Sequence, residues 1–116
     1  MERVLVIGGT GTLGRPLVRQ LLEDGREVRL LARDADRTKQ WLRGEGLTAE
    51  VVGGSVEDPE AVHRAVSGCR QVHVSLAAGP NADDLDRVEH RGTALVATSA
   101  ARNSVELLSY VSGSLV

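Results

Sequence analysis

Short apolar runs alternate with amphipathic stretches along the whole chain, each pair taking about 25 residues. The first run, Arg3 to Ile7, reads as a strand. The helix after it, from about Leu13 to Asp24, sets Leu17, Val18, Leu21 and Leu22 on one face. Pro16 falls in its first turn, where a missing N–H costs little, and Gly25 is placed to end it. A second strand runs from Val28 to Ala32. Asp34 or Asp36 caps the next helix, which ends near Gly44-Glu45-Gly46 and uses Trp41 and Leu42 as anchors to the sheet. The third strand is Ala49 to Val52. Asp58-Pro59-Glu60 then reads as an N-cap followed by proline at the first helical position. That helix carries Ala61, Val62, Ala65 and Val66, and Gly68 ends it. Strand four is Gln71 to Leu76, followed by the turn Ala77-Ala78-Gly79-Pro80-Asn81. The longest helix runs from about Asp83 to Arg102, with Leu85, Val88, Gly92, Leu95 and Ser99 along one face, and strand five is Glu106 to Ser112.

Repeated strand–helix pairs of this kind predict an α/β fold with a Rossmann-like, doubly wound parallel sheet. Right-handed crossovers give about five strands in the order 3-2-1-4-5. A ligand is then expected across the carboxyl ends of the strands, where the order reverses. No tandem repeat, charge block or low-complexity linker interrupts the pattern.

The candidate chemistry sits between the first strand and the first helix, at Gly8-Gly9-Thr10-Gly11-Thr12-Leu13-Gly14. Gly9, Gly11 and Gly14 give G-x-G-x-x-G; Gly8, Gly11 and Gly14 give G-x-x-G-x-x-G. Strand, glycine turn and helix in that order form the context a dinucleotide fingerprint requires. Glycine permits the tight turn, a missing Cβ lets a pyrophosphate approach the backbone, and the helix offers unpaired N–H groups to that anion. An ordinary strand-to-helix turn is the plainer alternative.

The residue ending strand two decides the kind of dinucleotide. An acidic side chain there binds the ribose 2′-hydroxyl of NAD. Here the chain reads Leu31-Ala32-Arg33-Asp34, and Arg33 is placed to hold the 2′-phosphate of NADP. A guanidinium–phosphate contact of about 1.5–3 kcal/mol gives roughly ten- to hundredfold preference for NADP. Asp34, one residue late, keeps NAD open, and the plainer alternative for Arg33 is a solvated arginine paired with Asp34 or Asp36. Arg15 and Arg37 are secondary phosphate candidates.

Composition bounds the rest. With 116 residues the chain is one domain, 41% apolar and 26% charged. A formal charge of -2, with Trp41 and Tyr110 as its only aromatics, argues against a nucleic-acid partner. Cys69, the single cysteine, allows no internal disulfide and reads as a small apolar filler. The N-terminal run is too short for a signal peptide, and no run suits a membrane span, so a cytoplasmic protein is expected. His63, His73 and His90 lack ligand spacing, and Asp83, Asp84 and Asp86 stand where a helix begins, so no metal is expected.

Taken with Val28-Arg29-Leu30-Leu31-Ala32-Arg33, Asp58-Pro59, Val88-Glu89-His90-Arg91-Gly92-Thr93 and Leu108-Ser109-Tyr110-Val111-Ser112, the glycine turn resembles the atypical short-chain dehydrogenase/reductases. The resemblance is nearest their NmrA-like branch and covers essentially the whole chain. It implies a Rossmann domain binding NAD(P)(H), with Gly8, Thr10, Gly11, Thr12, Leu13 and Gly14 around the pyrophosphate. It sets Arg33 at the adenosine end and Leu76, Ala77 and Ala78 beneath the nicotinamide ribose. Where many relatives have Gly-Asp after strand three, this chain has Gly54-Ser55, leaving Ser55 and Val56 for a weaker or backbone-based adenine contact. The catalytic Tyr-x-x-x-Lys is not matched: Tyr110 is followed four residues later by Ser114.

The resemblance therefore implies residues 1–116 as a cofactor domain, truncated after strand five. Its ancestral activity is an oxidoreductase acting on a small carbonyl or quinone, with a non-catalytic NADP(H)-sensing protein as the alternative. An uncovered strand-five edge, with Leu107, Leu108 and Val111, leads to an expectation of association. That means a homodimer through the edge or the long helix, limited solubility, or a missing partner segment.

Overall fold

The structure, a computed structural model, describes residues 3–8, 14–76, 93–103 and 105–112. Its elements are β1 (Arg3–Ile7), α1 (Gly14–Glu23), β2 (Glu27–Ala32), α2 (Ala35–Gly44), β3 (Glu50–Gly53), α3 (Pro59–Val66), β4 (Gln71–Leu76), α4 (Thr93–Arg102) and β5 (Leu107–Ser112). Among the described residues five strands form one sheet, all neighbours parallel, in the order β3-β2-β1-β4-β5. The expected Rossmann-like order is the observed one.

The order follows from the handedness of the crossovers. The chain steps outward from β1 to β2 to β3, placing α1 and α2 on one face, then crosses to β4 and β5, placing α3 and α4 on the other. Alternate residues of each strand feed the two layers. Val4, Val6, Val28 and Leu30 pack with Val18, Leu21 and Leu42 under α1 and α2. Leu5, Ile7, Leu31, Val72 and Val74 pack with Ala61, Val62, Ala65, Val66 and Val96 under α3 and α4. The direction of the crossovers reverses between β1 and β4, the switch point at which sheets of this order bind ligands beyond the carboxyl ends of their strands.

Local chemistry sets the element ends. Asp34 is the N-cap of α2, its side chain accepting from the Arg37 N–H at 3.0 Å, which settles the choice between Asp34 and Asp36. Asp58 caps α3, with Pro59 in the first turn. Several ends move by one residue: α1 stops at Glu23, β2 begins at Glu27, β3 runs one residue later than read, and β5 begins at Leu107. Of the long-helix face, Leu85, Val88 and Gly92 lie outside the described residues. On α4 the buried face is Val96, Ser99 and Ala100, with Leu95 half-buried.

Arg29 breaks the apolar pattern of β2. It pairs in register with Leu5 on one side and Glu50 on the other, and is buried. Its Nη1 donates to the carbonyls of Ala65 (2.8 Å), Ser67 (2.7 Å) and Arg64 (3.3 Å), and its Nε donates to Glu50 at 2.9 Å. A buried cation thus satisfies carbonyls at and just beyond the end of α3, at the negative end of its dipole. Cys69 lies beside it, 2% exposed, its Sγ 3.6 Å from Arg29 Nη1. Burial pushes that thiol's pKa up and outweighs the opposing pull of Arg29.

His73 on β4 sits in register with Val6 and Ser109. Burial, and then the Arg26 guanidinium, push its imidazole below the usual 6.5. Because the fold prefers the neutral ring, the stability His73 contributes is present above 6.5 and is lost as pH falls through the lower folded value. Thermal unfolding followed from about pH 7.5 to about pH 5 is expected to show that loss, and His73→Gln to flatten part of it.

β5 is the outer strand of the described sheet, and Leu107 and Leu108 are exposed by 48% and 42%. Among the described residues, no helix is long and apolar enough to cross a membrane.

Candidate functional site

The described residues expected around the cofactor, Gly8, Gly14, Arg33, Ser55, Val56 and Leu76, fall at or just beyond the carboxyl ends of the strands. Gly8 follows β1 with φ 85°, a left-handed conformation that favours glycine. Gly14 opens α1 and is buried. Arg33 follows β2, Ser55 and Val56 follow β3, and Leu76 ends β4. Thr10, Gly11, Thr12 and Leu13 lie outside the described residues, as do Ala77 and Ala78.

The start of α1 differs from those of α2 and α3. The helices α2 and α3 each have an Asp N-cap and an acid in the first turn, Asp36 and Glu60. The first turn of α1 has no acid and carries Arg15. A cation at the positive end of a helix dipole is electrostatically misplaced unless something offsets it. Part of the offset is visible: the Arg15 guanidinium lies 5.4 Å from the centroid of the Trp41 ring on α2. One turn further along, Arg19 pairs with Glu45 at 2.9 Å. Trp41 also packs against the core cluster beneath α1 and α2, as read from the sequence. Leu42 reaches the core, while Trp41 stays half-buried at its rim.

Arg33 is exposed, and among the described residues no ion pair joins it to Asp34 or Asp36. Asp34 is engaged in capping α2. Ser55 Oγ accepts from the Glu57 N–H at 3.1 Å, and the Val56 side chain is in the core, so that residue offers a ligand only its backbone.

Sequence reasoning missed the part played by Gly54. Its N–H donates to Ala32 O at 2.9 Å, tying the end of β3 to the residue before Arg33. Its φ is 153°, and a Cβ added there would stand 2.5 Å from the Ala61 Cβ. The one signal in the sequence was the doubled glycine, Gly53-Gly54, after a strand.

Gly8 at positive φ, an α1 first turn without acids, and the exposed Arg15, Arg33 and Arg37 suit an anionic ligand with a diphosphate. Among the described residues no group of His, Cys, Asp and Glu could hold a metal ion.

Known proteins point the same way. The profile of a family described as NAD(P)H-binding matches residues 8–116. The photosystem II assembly factor Ycf39 of Trieres chinensis is 35% identical over 105 residues, covering 86% of this chain and 31% of that protein. Pinoresinol reductase 2 of Arabidopsis thaliana is 38% identical over 81 residues, covering 66% of this chain and 25% of that one. A short-chain dehydrogenase/reductase superfamily protein from Agrobacterium tumefaciens, solved with bound NAD, superposes with a TM-score of 0.74 at 29% identity. That match covers 94% of this chain and 32% of the other. The chain thus spans between a quarter and a third of the length of these relatives.

Proposed function

The chain belongs to the NAD(P)H-binding family, among proteins resembling atypical short-chain dehydrogenase/reductases, and from that premise we propose that it forms the cofactor domain of an NADP-preferring oxidoreductase. The observation that carries the preference is Arg33: an exposed arginine directly after β2, where an NAD-specific site would have an acid, with neighbouring Asp34 engaged in capping a helix. In this reading Gly8, Gly11 and Gly14, with Thr10, Thr12 and Leu13, take the pyrophosphate. Ser55 and the backbone of Val56 take the adenine, and Leu76, Ala77 and Ala78 underlie the nicotinamide ribose. The bound nicotinamide would supply hydride transfer, and this chain's residues hold and orient it. Residues 1–116 act as one domain, and the exposed Leu107 and Leu108 on β5 form the surface for a homodimer or a further segment.

Calorimetric titration with NADPH and NADH, on the wild type and on Arg33→Ala, tests this. NADPH affinity is expected to fall roughly ten- to hundredfold in the variant, with NADH little changed. Equal wild-type affinities for the two would refute the NADP preference.

A second reading is a protein that binds NADP(H) without turnover. Tyr110 lies on β5 and is followed four residues later by Ser114, not by lysine, so it forms no Tyr-x-x-x-Lys pair. Among the relatives, the name assembly factor stands beside the name reductase. NADPH oxidation across a panel of small carbonyls and quinones favours the oxidoreductase; tight binding without oxidation favours the sensor.

A further inference from the structure

We propose that Ser55, in the turn after β3, lets this chain bind the purine of its dinucleotide without requiring the 6-amino group, so that a 6-oxopurine (hypoxanthine) dinucleotide binds about as well as the adenine one. The inference rests on the dinucleotide reading above and adds a base specificity to it.

The turn is placed beside the residue before Arg33 and is held on both sides of Ser55. Ala32 and Gly53 are partners in the β2–β3 register, and the Gly54 N–H donates to Ala32 O at 2.9 Å. On one side of Ser55, Gly54 comes so near α3 that an added Cβ would stand 2.5 Å from the Ala61 Cβ. On the other, the Val56 side chain is buried in the core cluster under α3 and α4. Ser55 itself is half-buried. A polar group whose neighbours are fixed in this way is ordered before a ligand arrives, which removes part of the cost of binding.

The hydrogen bonds of the turn decide what it offers a base. Ser55 Oγ accepts from the Glu57 N–H at 3.1 Å, and Ser55 O accepts from the Asp58 N–H at 3.0 Å. A hydroxyl has one proton and two lone pairs, so Oγ retains its proton and one lone pair. The Asp58 carboxylate accepts from the Glu60 N–H at 3.1 Å in capping α3. Among the described residues, the backbone N–H groups of Ser55 and Val56 make no hydrogen bond. The turn therefore presents backbone donors, which suit the ring nitrogens of a purine, and a hydroxyl that works in either direction. Adenine carries a 6-amino donor; a 6-oxopurine keeps N7 and carries an acceptor in its place. Ser55 Oγ accepts from the first or, with its proton turned outward, donates to the second. A carboxylate at this position, as many relatives have, only accepts, and so favours the amino group and repels the oxo oxygen.

The test titrates the wild type, Ser55→Ala and Ser55→Asp calorimetrically with NADPH and with its hypoxanthine counterpart, the reduced nicotinamide hypoxanthine dinucleotide phosphate. The wild type is expected to bind the two within about threefold of each other. Ser55→Ala is expected to weaken both alike, by about two- to fivefold, because the lost hydroxyl served either base. Ser55→Asp keeps an acceptor for the Glu57 N–H, and is expected to make the hypoxanthine form roughly tenfold weaker than NADPH. A wild type that binds NADPH more than about threefold tighter overturns the proposal, and needs no variant to fold. So does a Ser55→Ala that changes neither affinity, or a Ser55→Asp whose preference equals the wild type's. Equal affinities for NADH and NADPH would refute the NADP preference and leave this inference standing. A wild type that binds none of these dinucleotides overturns the cofactor reading and this one with it.

Discussion

Gly54→Ala is expected to destabilise the protein by about 3–5 kcal/mol, a large share of what holds a domain of this size together. Two costs act together. The backbone at Gly54 has φ 153°, a region that side chains rarely adopt. The added methyl would also stand 2.5 Å from the Ala61 Cβ, and Ala61 is fully buried on α3 against the sheet. Relief requires either α3 or the end of β3 to move. Moving β3 strains the 2.9 Å bond from Gly54 N–H to Ala32 O, which sets the position of the residue before Arg33. A loss of NADPH affinity is therefore expected alongside the loss of stability. Urea unfolding of Gly54→Ala beside Gly46→Ala separates the two costs. Gly46 also has positive φ, but an added Cβ there meets nothing within 4 Å, so about 1 kcal/mol is expected. Equal losses at the two sites would show that contact with Ala61 contributes nothing.

Arg29→Met is expected to cost about 2–4 kcal/mol in the same measurement. Methionine preserves much of the side-chain volume but donates no hydrogen bond. The carbonyls of Ala65 and Ser67, now reached at 2.8 and 2.7 Å, would lose a charged donor in the interior. Replacing a buried ion pair by apolar residues is often harmless when both partners go, but these partners are backbone groups and cannot be removed. Glu50 is a lesser matter: its side chain is about half exposed, so water solvates it when Arg29 is gone. Glu50→Gln is accordingly expected to cost less than about 1 kcal/mol. A comparable loss in the two variants would mean that the ion pair, and not the capping of α3, is what Arg29 supplies.

These two positions mark where sequence reading stops. The elements themselves were legible, because each rests on neighbours in the chain. Ala61, Val62, Ala65 and Val66 recur at helical spacing and are all fully buried. Asp58-Pro59 caps α3 as read, and Gly25 follows α1 with its N–H bonded to Leu22 O. The strand order was legible as well, since handed crossovers leave few topologies for alternating strands and helices. Of the site, the end of β1, the start of α1 and Arg33 after β2 could be placed, because turn chemistry and spacing are local properties.

The remainder depends on which elements meet. Nothing in Val28-Arg29-Leu30 shows that the arginine turns inward, because the carbonyls it satisfies lie 35 to 38 residues away on and just after α3. Nothing beside Gly54 shows that Ala61 will lie against it. Trp41 and Arg15 are ordinary helical residues until α1 and α2 are laid side by side. The sequence by itself determined the α/β class and the strand order, because periodicity acts over a few residues and handed crossovers leave few topologies. Only the tertiary structure decided where a buried charge finds its partners, where a Cβ cannot fit and which arginine lies over a ring, because clearances and hydrogen-bond partners exist only between packed elements.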